Sequence, residues 1–241
     1  MTKNSCDIVL DKFTHRYRIK KLSNLIISVI IVALGVTSFR YGLGLDPTIT
    51  IFRWLTVDGT LFTTAGAAVF VIVNLIEMLK NTEETHIWIY YFRLSSAVAE
   101  SVILVVVFFS QLPFFDTHFE IFDRYDSFIM HLVIPILGIT SFVINDSPIG
   151  RLSFLNRWKG TAFITVYGVT LFTLISTGLL PTNLIPYSFL NYIDNGIGIF
   201  IVAFIFVYTC AYFTSFLLSE VNRKLSWMWF KNIGRLKNST D

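Results

Sequence analysis

The sequence predicts an all-α membrane protein, a single bundle of six transmembrane helices with both termini on the cytoplasmic side. Three observations carry this. Hydrophobic residues make up 54% of the 241-residue chain and mean hydropathy is +0.65, too apolar for a soluble domain of this size. The apolar residues are gathered into runs nearly free of charge, and the basic residues fall on alternate connections between the runs.

A helix needs roughly 20 apolar residues to cross a hydrocarbon core of about 30 Å. The runs are Leu22–Phe39, Gly59–Ile76, Leu94–Phe115 (broken only by Glu100), Ser127–Asn145, Gly160–Ile193 and Asn195–Ser219. They predict spans near 22–42, 59–79, 92–112, 127–145, 160–180 and 196–219. Gly160–Ile193 is too long for one span, and Pro181, Asn183 and Pro186 mark its second part as a loop. Residues 1–21 and 220–241 are then basic cytoplasmic tails flanking a membrane domain over 22–219. The first span is no cleaved signal, because Thr37-Ser38-Phe39-Arg40 is not a small-residue cleavage site. Cys6 precedes span 1 and Cys210 lies in span 6, so no disulfide is expected.

Basic residues orient the chain. Sixteen of the 19 Lys and Arg residues lie in the two tails and in connections 2–3 and 4–5; Arg40, Arg53 and Arg124 alone fall on the other side. The net charge of +3 therefore calls for anionic lipid headgroups and not for nucleic acid. The implied location is a plasma membrane, and a bacterial one.

The outer connections differ from the inner ones. Connection 3–4 holds Asp116, Glu120, Asp123 and Asp126 against one Arg124. Connection 5–6 reads "PTNLIPYSFLNYIDN" and has no Lys or Arg; its Tyr187, Phe189 and Tyr192 suit a segment at headgroup depth. In connection 1–2, Asp46-Pro47 is a good helix start, so helix 2 begins at Pro47, or else Pro47–Leu55 is an interfacial helix and Asp58 caps the span.

Polar residues inside the spans are informative, because lipid supplies no hydrogen bonds. In span 2, Thr56, Thr60, Thr63 or Thr64, Ala67 and Asn74 recur at helical spacing. Such hydroxyl stripes commonly line helix contacts. Glu100 sits mid-span, so it is protonated, paired or facing a cavity, with Asn74, Ser96 and Ser101 as partners. His131 enters span 4 one turn from its outer end, and Pro135 removes the amide that would bond the His131 carbonyl. A bend there would gather a freed carbonyl and an imidazole in one polar spot. Thr56 and His131 lie toward the same leaflet, with Thr56 several residues nearer the surface and Thr60 as the next hydroxyl inward. Helix tilt of about 20° would narrow that gap.

"FRWLTVDGTLF" around Thr56 and "DSFIMHLVIP" around His131 resemble the androgen-induced gene product and androgen-dependent TFPI-regulating protein family. "YSFLN" at Tyr187–Asn191 is similar to a Tyr-Pro-Phe-Leu-Asp-like element of bacterial relatives, with Ser188 and Asn191 in place of the proline and the acid. The resemblance implies a six-span hydrolase of fatty acid esters of hydroxy fatty acids or similar lipid-like esters. Thr56 would be its nucleophile and His131 its base, with no cofactor. Around that pair, Thr60, Thr63, Asn74, Glu100 and Pro135 are the residues expected to line or shape the cavity.

A threonine hydroxyl is a poor nucleophile until a base takes its proton, which is the part a neutral imidazole plays. No G-x-S-x-G element is present, so an ordinary serine-hydrolase elbow is not expected. On a continuous helix Asp58 points roughly 200° away from Thr56, which makes it a cap or surface residue. Two other classes compete: a transporter or lipid-binding protein with Glu100, Asn74 and the threonines along a solute path, and a metal site. His118, Glu120, Asp123, Asp126 and His131 share the outer face but match no ligand spacing, so no metal is expected.

Overall fold

The computed structural model describes residues 5–45, 49–80, 87–111, 122–145 and 151–238. Among them there is no strand. Six helices are long and apolar enough to cross a membrane: α1 (Ile19–Leu45), α2 (Leu55–Lys80), α3 (Ile87–Phe109), α4 (Tyr125–Ile144), α5 (Phe154–Ser176) and α6 (Ile197–Met228). The chain is thus an all-α, multi-pass bundle. α1 is the apolar part of one helix that starts at Ser5, and α6 the apolar part of one that runs on to Asn238.

α3 is the axis of the bundle. It packs against α2, α4, α5 and α6, and its Leu94, Val98, Ala99 and Val107 have no exposure. α6 is the opposite case: Ile201, Val202, Ile205 and Phe206 are all exposed, the pattern of a helix whose outer face meets acyl chains. Lipid gives no hydrophobic drive for helix association, so close backbone approach and buried polar bonds must hold the bundle. Gly35 of α1 lies directly on the Thr64 hydroxyl of α2, where a side chain would collide.

Polar bonds gather at the end where the basic residues lie. Arg93 Nη2 donates to Ser141 Oγ at 2.8 Å, and Ser141 Oγ donates to Asn24 Oδ1 at 2.9 Å, tying α3, α4 and α1 together. Lys21 pairs with Glu77 and also reaches Asn74 Oδ1 at 3.4 Å. Arg93 lies over the Phe70 ring at 4.2 Å. In each the buried charge has a partner, which is what makes burying it tolerable.

At the other end, the chain follows the second expected arrangement in having a separate short helix before the span, although the span starts earlier than Asp58; Asp46 and Pro47 lie outside the described residues. A 3-10 turn over Ile49–Arg53 comes first, and α2 starts at Leu55. Tertiary packing decides this: Ile51 is buried with Val57 and Met130, so the chain must turn inward before the span begins. α4 departs from a regular helix at Ile129–Val133, which form a π turn. The Ile134 N–H bonds the Ile129 carbonyl five residues back. Pro135 explains the position, since its ring would crowd the His131 carbonyl in a tight α turn and it offers no N–H of its own.

Candidate functional site

Thr56 lies in the first turn of α2, 5% exposed. Its register is fixed from both sides. The Asp58 amide bonds the Trp54 carbonyl at 3.2 Å, and the Tyr167 hydroxyl of α5 donates to the Arg53 carbonyl at 2.7 Å. His131 comes from the π turn of α4.

The two meet. Thr56 Oγ1 is 3.2 Å from His131 Nε2, across 75 positions of sequence. The depth offset expected from counting residues is therefore closed in the fold. His131 Nδ1 lies 2.8 Å from the Ser127 carbonyl and 3.0 Å from the Ser127 hydroxyl. A carbonyl can only accept, so Nδ1 carries the proton and Nε2 presents its lone pair. The Thr56 hydroxyl then donates to Nε2, the arrangement in which an imidazole acts as a general base. Asp126, one residue before Ser127, is within Coulombic reach of the ring but already holds Arg124 at 2.7 Å.

A third group completes the site from connection 5–6. Tyr187 is buried, 7% exposed, and edge-on to Trp54 with ring centroids 5.8 Å apart. Burial pushes its phenol up to about 12, partly offset by the Thr56 side chain and the Leu55 backbone beside it. The sequence marked Tyr187 as an interfacial aromatic; nothing local in it signalled a phenol beside Thr56. Asp58 is half-buried and lies within Coulombic reach of Tyr167 and Tyr187.

An apolar pocket opens beside this group. It is a cavity of about 60 Å³, partly open to the outside, between the start of α2, α3, α5, α6 and connection 5–6. Leu55, Val106, Tyr167, Tyr187, Phe200 and Phe204 line it. Thr56 and His131 are not in its wall, but Leu55 and Tyr187 are. The pocket thus ends one residue from Thr56 on the helix and at the phenol beside it.

Arg53 is the other group that sequence reading passed over. Its guanidinium lies over the Trp54 ring at 5.3 Å, and its buried Nε and Nη1 have no hydrogen-bond partner.

The remaining expected residues divide. Thr63 accepts from Ser96 Oγ at 2.8 Å. Thr60 is fully buried with an unpartnered hydroxyl. Asn74 lies at the basic end with Lys21, away from the Thr56 turn. Glu100 is fully buried and bonds none of its expected partners; Ser101 is turned to the Ala97 carbonyl instead. Pro135 is buried next to the π turn. Among the described residues no three His, Cys, Asp or Glu side chains converge on a metal position; Asp116, His118 and Glu120 lie outside them. No family model, curated protein or solved structure matches the chain.

Proposed function

We propose that the protein is an intramembrane hydrolase of lipid-like esters, with Thr56 as nucleophile and His131 as general base. The observation that carries the reading is the 3.2 Å contact from Thr56 Oγ1 to an imidazole whose other nitrogen is held by the Ser127 carbonyl. The resemblance of "FRWLTVDGTLF" and "DSFIMHLVIP" to the androgen-induced gene product family points the same way.

In this mechanism Thr56 Oγ attacks the ester carbonyl carbon as its proton passes to His131 Nε2. The Tyr187 O–H donates to the oxygen that becomes negative. Collapse of the tetrahedral species breaks the bond to the alcohol, which leaves with the proton from His131. Water then attacks the acyl-threonine, giving a proton to Nε2, and as the acyl bond breaks Nε2 passes that proton to Thr56 Oγ while the carboxylic acid leaves. The acyl chain occupies the apolar pocket. The unpartnered Nε and Nη1 of Arg53 suit an ester that also carries a carboxylate, such as a fatty acid ester of a hydroxy fatty acid. The reading places the enzyme in the plasma membrane of a bacterium, working at the leaflet opposite the basic tails.

A fluorophosphonate carrying a long alkyl chain tests it on the detergent-solubilised protein. Stoichiometric adduct on Thr56, blocked by a long-chain ester and absent in Thr56→Ala, is the expected result. No adduct, together with tight retention of unhydrolysed lipid, would favour a lipid-binding protein using the same pocket.

A further inference from the structure

One helical turn below Thr56 lies a second cluster of buried polar groups. α2 and α3 run antiparallel, and the bond from Ser96 Oγ to Thr63 Oγ1 sets their register. One turn toward the Thr56 end, α2 carries Thr60 and α3 carries Glu100. Antiparallel packing brings these two to the same level. Both have zero exposure, and Thr60 Oγ1 and both Glu100 carboxyl oxygens have no hydrogen-bond partner. The Thr63 side chain lies beside the Glu100 carboxyl, though neither carboxyl oxygen has a partner in hydrogen-bond geometry. Gly138 of α4 closes the third side: a Cβ there would sit 3.4 Å from Thr63 Cγ2 and 3.6 Å from Glu100 Cγ.

Buried polar groups are paired almost without exception, and a lone buried carboxylate is the costliest exception. Here orphaned oxygens from two helices lie at one level of the antiparallel pair, with no Lys, Arg or His among the described residues bonded to the carboxyl. The donors are all oxygen, which selects a hard cation over a soft one. They bring one formal negative charge, which matches a single positive charge and falls short of what a divalent ion needs in a dry site.

We propose that Glu100, Thr60 and Thr63 form an intramembrane binding site for a monovalent alkali cation of the sodium class. The ion would cross-link α2 to α3 and neutralise Glu100. Thr56 is four residues from Thr60 on the same helix, so an occupied site would also brace the turn that carries Thr56.

The test uses the full chain in detergent at constant ionic strength, with its melting temperature followed in sodium, potassium and choline chlorides. Ligand binding to the folded state stabilises by mass action. Sodium should raise the midpoint saturably over choline by about 2–4 °C, the shift that roughly one kilocalorie gives in a chain of this size. Glu100→Gln should fold at least as well as the parent without sodium and lose the sodium response. Thr60→Val keeps the carboxylate and should shift the titration to higher sodium; it serves alone if Glu100→Gln fails to fold. Equal midpoints in all three salts, a sodium response surviving in Glu100→Gln, or an unshifted titration in Thr60→Val would each overturn the site. So would a midpoint that rises on acidification but ignores sodium, which would assign the charge balance to a proton alone.

Discussion

The Nδ1 of His131 faces the carbonyl oxygen of Ser127, one turn back in α4, at 2.8 Å. That contact settles which imidazole nitrogen is free to take a proton, and Thr56 Oγ1 stands 3.2 Å from the free one. The backbone here does the orienting that a carboxylate does in many hydrolases, and it adds no second buried charge.

Thr56→Ala and His131→Ala should each reduce ester hydrolysis by at least about 1,000-fold, and the double variant should be little worse than either. Groups that act as one unit are strongly non-additive. Turnover of a long-chain ester by the three variants checks this. Thr60→Ala reports on register: if it were inactive while Thr56→Ala kept its activity, the nucleophile would lie one turn deeper.

Tyr187→Phe removes one hydroxyl and little volume. If the phenol donates to the developing oxyanion, kcat should fall about 100-fold with KM nearly unchanged. The phenol stays protonated until pH rises toward about 12, so its donor role should persist from pH 7 to 10. A parent enzyme whose rate collapsed near pH 10, with Tyr187→Phe lacking that limb, would mean the phenol ionises there and is not buried as described.

The sequence made the spans legible because hydropathy is a local property: each predicted span lies largely within one helix of the bundle. Relations between helices were less legible. The Thr56–His131 pair was reached by placing both residues toward one leaflet and by the family resemblance, and neither gives a distance. Tyr187 was out of reach, because its meeting with Thr56 depends on how connection 5–6 folds back over Trp54. The start of α2 is only partly legible for a similar reason: a separate short helix before the span is one of the two readings the sequence allows, but capping propensity favours Asp58 as the start and burial of Ile51 against Met130 sets it at Leu55. For Glu100, sequence proposed Ser96 as a partner, but the antiparallel register gives Ser96 to Thr63.

Orientation follows from the basic residues. Single cysteines placed at Asn81 and Ser153, in connections 2–3 and 4–5, should be protected from a membrane-impermeant thiol reagent in intact cells and labelled after permeabilisation. External labelling at either position would invert the bundle and put Thr56 and His131 in the cytoplasmic leaflet.

Pro135 should act through geometry. The π turn over Ile129–Val133 places one more residue in the turn than an α-helix holds. Pro135→Ala restores an N–H and removes the ring that crowds the His131 carbonyl, so the turn can tighten to α. One residue corresponds to about 100° of rotation in an α-helix, enough to swing the imidazole away from Thr56 while the rest of α4 keeps its packing. A misplacement of about 1 Å can cost on the order of 100-fold in rate. Alanine is well tolerated in a span, so the variant should insert and fold normally, and its turnover should fall by at least that factor. Labelling of Thr56 by the alkyl fluorophosphonate should slow in parallel, because the same base activates it. A well-folded Pro135→Ala protein with parental turnover would show that the π turn is a packing feature, and that His131 is positioned by its bond to Ser127 alone.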